Sequence, residues 1–264
     1  MRVPQAGRKD GETMSNEQYI LQSVDNALAI IDLLAKHEEL SAAEVARLME
    51  IGKTTAFRLL TTLENRKFLN KTDSNRYRLG VKLSSLGAIV LGRMDIIKLA
   101  HPYLINLTQL CEETTHLVIW DNDTMVQFID KVSSPSSIRM ESMVGLRRRA
   151  HMTATGKAML AFQPQQFIDN YVKNVSFSPK TPYSIVTAQQ LLENLEGVRR
   201  NGYACDADES ELGLTCYAAP LFGVGDRVEA AISASGPTER MKSKKDFLIP
   251  LLQKTAQNIA AEMK

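Results

Sequence analysis

The sequence predicts an α+β chain in two parts: three short helices closed by a β-hairpin over residues 18–80, and an antiparallel sheet with helices over residues 100–264, joined by a helix at 81–99. Three observations carry this. Apolar residues recur at helical spacing in three runs before residue 65, short alternating runs flank Asp73-Ser74-Asn75, and beyond residue 99 helical and alternating runs are mixed. At 264 residues, 44% of them apolar and 23% charged, the chain has the composition of a globular protein and the length of a small domain plus a larger one.

Residues 1–17 are polar and without period, and are expected to form a disordered leader, with Met14 a possible alternative start. From Val24, the spacing of Leu28, Ile31, Leu34 and Ala35 predicts a first helix ending near His37. Ser41 followed by Glu44 is a capping-box pattern, and Val45, Ala46 and Met49 form the inner face of a second helix that stops near Glu50. After Ile51-Gly52 a third helix begins at Lys53, with Phe57, Leu60 and Leu63 expected on its inner face. Phe68–Thr72 and Arg76–Leu79 form the hairpin. The connecting helix follows, with an apolar stripe of Leu83, Leu86, Val90, Met94 and Ile97 that calls for a partner surface, either its own domain or a second copy of the chain.

Farther on, a helix runs through Cys111, Thr115–Trp120 and Met125–Val132 pair around Asn122-Asp123, and Ile138–Val144 reads as a third strand. Helices are expected at Thr153–Phe162, between the cap Thr187 and Gly202, and from about Lys244. Leu214–Phe222 and Arg227–Ser235 are strands joined by a turn at Gly223–Asp226.

Charge is unevenly distributed. Residues 19–50 carry Lys36 and Arg47 against six carboxylates, whereas residues 51–82 carry eight basic side chains against Glu64 and Asp73. Three helices followed by a hairpin make a winged helix-turn-helix, and the basic block coincides with its third helix and wing, so double-stranded DNA is the expected partner. Lys53, Thr54, Thr55 and Arg58 stand at the start of the third helix; Arg76 and Arg78 stand on the wing. Arg58 suits a bidentate contact to guanine, and Lys53, Thr54, Arg76 and Arg78 suit phosphate oxygens. Alternative roles are a cap for Thr54 and, for Arg78, packing against the connecting helix.

The runs Ser23–Ile31, Gly52–Leu60 and Tyr77-Arg78-Leu79-Gly80 resemble signatures of the IclR family of bacterial regulators. Gly156-Lys157-Ala158, Gly202–Asp206 and Ala230–Pro237 are similar to that family's effector domain, so the resemblance extends from residue 20 to the end. It implies a homodimer, often assembled into a tetramer, and a GAF-like C-terminal domain that senses small metabolites. Carried over by position, the effector contacts are Met140, Ala154, Thr155, Asp206, Leu214, Cys216, Ser233 and Ser235. Arg148 departs from the apolar residue of members that sense very small keto acids, which implies a larger, more polar ligand. Thr115-His116-Leu117 and Ile138-Arg139-Met140 are most similar to the branch that answers sugar acids such as 2-keto-3-deoxygluconate.

The residues themselves also argue for a pocket. Alternation places Cys216 and Ala218 on one face of their strand and Ser233 and Ser235 on one face of theirs, leaving a hollow lined by small side chains. Thr153-Ala154-Thr155-Gly156 opens a helix whose free N–H groups suit a carboxylate, so an organic acid is the expected ligand, with Asp206 accepting from its hydroxyls. The three-arginine run Arg147–Arg149 has the alternative of a solvated loop.

Other classes fare worse. Cys216, His151 and Asp206 are the residue types of a nucleophilic triad, but Cys216 sits in an apolar run with no basic neighbour to activate it, so no enzyme is expected. No cofactor and no metal are called for: the four histidines are scattered and no cysteines stand at clamp spacing. Gly52-Lys53-Thr54 lacks the earlier glycine of a phosphate loop, whose place Arg47 takes. Three unpaired cysteines and the absence of a long apolar run point to a cytoplasmic chain that does not enter a membrane.

Overall fold

The computed structural model describes residues 20–92, 95–223, 225 and 227–263; the leader expected at 1–17 lies outside them. The chain divides between Val90 and Leu91 into two compact units.

In the first unit, α1 (Gln22–Leu34), α2 (Ala42–Leu48) and α3 (Lys53–Asn65) pack around Ile30, Leu34, Val45, Ala56, Leu60 and Leu63. Strands β2 (Leu69–Lys71) and β3 (Arg76–Leu79) form the hairpin, and a two-residue strand β1 (Leu40–Ser41), which the sequence did not signal, pairs with β3. This is the expected winged helix-turn-helix. The capping box forms as read: Ser41 Oγ accepts from Glu44 N at 3.3 Å and Ser41 N donates to Glu44 at 2.7 Å. At the root of the wing, Gly80 donates to Phe68 O, and a side chain there would meet Lys67 O at 2.4 Å, so only glycine fits. Phe57 corrects the sequence reading. Ala56, not Phe57, completes the inner face with Leu60 and Leu63, and Phe57 is 53% exposed. The apolar spacing 57, 60, 63 fits a helix as well as 56, 60, 63 does, and alanine is too small to declare itself.

Helix α4 (Val81–Gly92) and helix α5 (Asp95–Cys111) follow on either side of residues 93 and 94, which lie outside the described ones, so the connecting helix expected over 82–98 is described only in these two parts.

The second unit is built on an antiparallel sheet in the order β6-β5-β4-β9-β8-β7. Its strands are β4 (Thr114–Trp120), β5 (Met125–Val132), β6 (Arg147–Arg149), β7 (Ala204–Ala207), β8 (Leu214–Phe222) and β9 (Val228–Pro237). Alternation sorts the faces: Tyr217, Ala219, Leu221, Ile232 and Ala234 pack with α5 and α9 (Thr238–Glu262). Val118, Phe128, Cys216, Ala218 and Ala231 pack with α6 (Ala154–Leu160), α7 (Gln165–Asn174) and α8 (Ala188–Asn201). Helix α9 starts six residues earlier than read, because its first turns are polar outside Met241 and the apolar period only emerges at Phe247.

Residues 138–144 are not the strand expected. Gly145 takes φ +93°, Phe128 bonds both Gly145 N and Leu146 O, and β6 occupies the edge of β5 instead. The preceding segment therefore leaves the sheet. Its carbonyls are held from outside the ladder, Ile138 O by Arg240 at 3.0 Å, Met140 O by Thr114 and Ser142 O by Lys131 at 2.7 Å. On the other side, Thr153 caps α6 and Gly156 lies against a 3-10 turn at Ala150–Met152, where a Cβ would meet Ala150 O at 2.2 Å. Lys157, fully buried, pairs with both oxygens of Glu209 at 2.6 and 2.7 Å. Burial still raises the Glu209 carboxyl above its ordinary value despite this partner.

Two outcomes are expected. The Glu44 carboxyl is lowered from 4.5 to about 2, first by the Ser41 backbone N–H, then by the Ser41 hydroxyl and Arg76. Its contribution is present above pH 4.5 and lost as pH falls toward 2; calorimetry at stepped pH should show a flatter profile in that window for Glu44→Gln. Lys157→Met leaves Glu209 buried without a counter-charge and should cost about 3–5 kcal/mol, most of it recovered in Lys157→Met/Glu209→Met. Urea unfolding followed by Trp120, the chain's sole tryptophan and part of this unit, reads that difference.

Candidate functional site

The exposed side of α3 lies opposite its buried residues. Thr54 and Arg58 point directly away from Ala56 and Leu60, with Lys53, Thr55 and Phe57 on the flanks, all exposed. The N-cap of α3 is Gly52, without a side-chain bond, so Thr54 is not spent on capping. Arg78 is exposed on β3, and Lys71 and Lys82 lie over the rings of Tyr77 and Phe68 at 5.7 and 4.5 Å. Arg76, the other wing cation expected at phosphates, is engaged within its own unit. Its guanidinium pairs with Glu39 at 2.8 Å and Glu44 at 3.0 Å and donates to Glu39 O, which ties the wing to the start of α2 and neutralises the charge. Only the acidic stretch before α3 could have signalled this, and its partner was not readable from spacing.

In the second unit, all nine residues singled out for the effector site surround one cavity of about 140 Å³. Its floor is the sheet: Cys216 pairs with Ser235 in register across β8 and β9, and Ser233 is the next cavity-facing residue. Ala218, expected beside them, is fully buried in the core and does not reach the cavity. Ala154 and Thr155 line one wall from α6; Asp206 and Leu214 line another. Met140 and Arg148 close it from the loop after β5 and from β6.

The carboxylate of Asp206 is largely engaged. Oδ1 accepts from Glu209 N at 2.9 Å and Ser210 N at 3.3 Å, and Oδ2 accepts from the Ser210 hydroxyl at 2.5 Å. Its first duty is to hold the turn after β7, leaving little capacity for ligand hydroxyls. Among the three arginines, Arg147 pairs with Asp121 and Arg149 donates to Ser176 O, while Arg148 alone lines the cavity, half-buried. Sequence reasoning missed Lys180, Glu141 and Ser210, which also line it. They come from irregular loops, which no periodicity marks. Thr181 and Ser184 donate to the Asp208 and Glu209 carbonyls and fasten the Lys180 loop to the Asp206 turn.

Burial pushes the Cys216 thiol far above its usual range, with Asp206 adding to the effect, which is the opposite of what activates a cysteine nucleophile. His151 is turned to Tyr171, with Nδ1 2.7 Å from its hydroxyl, and is not among the residues lining the cavity. Burial lowers it to about 4, with Arg149 and Lys157 contributing. The triad types are present and do not assemble. No helix among the described residues is long and apolar enough to cross a membrane.

Comparison with known proteins agrees with both halves. Residues 23–73 match the IclR helix-turn-helix domain, and residues 88–261 match the bacterial transcriptional regulator IclR C-terminal domain. The HTH-type transcriptional regulator KdgR of Dickeya chrysanthemi is 33% identical over 245 residues, covering 92% of this chain and 80% of that protein. The HTH-type transcriptional regulator XynR of Escherichia coli is 34% identical over 84% of this chain and 88% of its own length. Among solved structures, the IclR protein of Thermotoga maritima superposes with a TM-score of 0.73 at 31% identity, covering 92% of this chain and 98% of that one. These relatives are transcription regulators, not enzymes. The chain belongs to the IclR family and is a DNA-binding transcription regulator of that type.

Proposed function

We propose that the cavity binds a small organic acid of the sugar-acid or keto-acid class, and that its occupancy modulates operator binding and so the expression of a catabolic operon. The observation that carries this reading is Arg148. Among the described residues it has no carboxylate paired to it, and it stands half-buried at a cavity whose floor carries Ser233 and Ser235. A guanidinium facing hydroxyls suits a carboxylate at one end of a ligand and oxygen functions along its body. Thr155 adds a hydroxyl, and Met140, Ala154, Leu214 and Cys216 give the carbon chain apolar contact, while the last open lone pair of Asp206 accepts from one ligand hydroxyl. A short polyhydroxy acid such as 2-keto-3-deoxygluconate carries such a carboxylate and such oxygens on one chain.

On the DNA side, Lys53, Thr54, Thr55 and Arg58 enter the major groove and Arg78 meets the phosphates. Exposed Val24 and Leu28 on α1 and Leu86 and Ile89 on α4 suit a second copy of the chain, so a homodimer presents two copies of α3 to two half-sites. Ligand alters DNA affinity through its differential affinity for two arrangements of that assembly.

Fluorescence anisotropy on DNA from upstream of the protein's own gene, with unrelated duplex as competitor and a panel of sugar acids and keto acids, tests the reading. Specific binding shifted by one acid supports it; specific binding that no acid shifts removes the effector class. Arg58→Ala should lose about 1–3 kcal/mol of discrimination between operator and competitor, while Arg78→Ala should weaken both equally and lower the salt slope by about 1. Arg148→Ala should leave operator binding intact and abolish the response to acid.

A further inference from the structure

His116 is fully buried on β4, on the cavity side of the sheet, paired in register with Ser233 of β9 and Lys131 of β5. Its ring meets Phe128 edge-on at 5.2 Å. Nε2 lies 2.7 Å from the Ser142 hydroxyl, in the loop that closes the cavity, and Nδ1 lies 3.4 Å from the Ser233 hydroxyl on the floor. The ring therefore stands between roof and floor without lining the cavity itself.

Burial, reinforced by Lys131, lowers His116 to about 3, so the ring is neutral and carries one N–H. The charge around it decides which nitrogen holds the proton. Lys131 donates to Ser142 O at 2.7 Å while pairing with Glu141, so its ammonium stands on the Nε2 side of the ring. A positive charge there favours the lone pair on that side. The Ser142 hydroxyl then donates to Nε2, and Nδ1–H donates to Ser233 Oγ over the longer contact. A serine whose oxygen accepts from behind keeps its own proton for the front.

We propose that His116 is a positioning residue for ligand recognition: it holds Ser233 with the hydroxyl proton turned into the cavity, making the floor a donor to a ligand carboxylate or carbonyl oxygen. This rests on the acid-binding reading above and gives it a direction, since a floor that donates selects ligand oxygens without hydrogens over hydroxyl groups at that point. The same ring links the floor to the closing loop, because Ser142 must orient its hydroxyl toward Nε2 for Ser233 to be free.

The test has two arms on the full chain. With 15N-labelled histidine, long-range 1H–15N spectra of the ligand-free protein from pH 5 to pH 8 should show one ring, absent in His116→Asn, with Nδ1 protonated and Nε2 bare throughout. A ring protonated at Nε2, or one that becomes charged in that range, overturns the proposal. In calorimetric titration with 2-keto-3-deoxygluconate, His116→Asn sets an amide where Nδ1 stood and should bind within about threefold of the parent. His116→Gln sets it where Nε2 stood and should weaken binding on the order of tenfold. Both variants lose the ring and its packing, so a purely structural role predicts equal losses; equal affinities in the two overturn the positioning role. If the parent chain binds no acid, the effector class falls, and the tautomer spectrum, which needs no ligand, still decides the orientation of Ser233.

Discussion

Cys216 lies opposite Ser235 and Ala218 opposite Ser233 where β8 pairs with β9 in the second unit's sheet. On that face these two strands carry short side chains, while on the other the same strands carry Tyr217, Leu221 and Ile232 packed against α5 and α9. A close-packed interior does not tolerate such an imbalance without either collapse or a void. Collapse is prevented because α6 is held off by its own constraints. Gly156 presses backbone against the 3-10 turn at Ala150–Met152, and Lys157 is anchored through Glu209 to the turn after β7. The cavity is thus the space left between a thin sheet face and a helix that cannot descend onto it.

Buried charge performs much of that holding. Glu113, with no exposed surface, accepts both nitrogens of Arg240 at 2.5 and 2.6 Å and Lys244 at 2.9 Å, joining the start of β4 to the first turns of α9. Arg240 also fixes Ile138 O, so one cluster supports the sheet and the loop that closes the cavity. Such pairs add little net stability over apolar packing but penalise every arrangement that separates them. They select one geometry for a cavity that apolar contacts alone would leave free to close.

The parts of the molecule legible in the sequence are those where a local rule and the tertiary environment agree. The Ser41–Glu44 box, the turn at Asp73-Ser74-Asn75, the cap at Thr187 and the stop at Gly202 are settled within a few residues of themselves. The alternation of β8 and β9 identified the floor for the same reason. Phe57 and Ala56 were exchanged because spacing cannot weigh a small residue against a large one. Ile138–Val144 alternates like a strand, yet its ladder partner is taken by β6 and its hydrogen bonds go to Thr114, Lys131 and Arg240, more than ten residues away in either direction. The ion pairs of Arg76, read as a phosphate contact, were not legible because Glu39 and Glu44 are brought to it only by the pairing of β1 with β3. Lys180 and Ser210 reach the cavity through loops whose course is set by side-chain hydrogen bonds, a kind of order that leaves no period.

The high thiol pKa of Cys216 and the neutral rings of His116 and His151 have a consequence for signalling. Burial holds the floor thiol of Cys216 in its protonated form and keeps the His116 and His151 rings uncharged near neutrality. On the proposed reading, a guest departs as the same molecule that arrived. Occupancy of such a site follows the surrounding concentration, and dilution alone, with no chemical step, resets the protein.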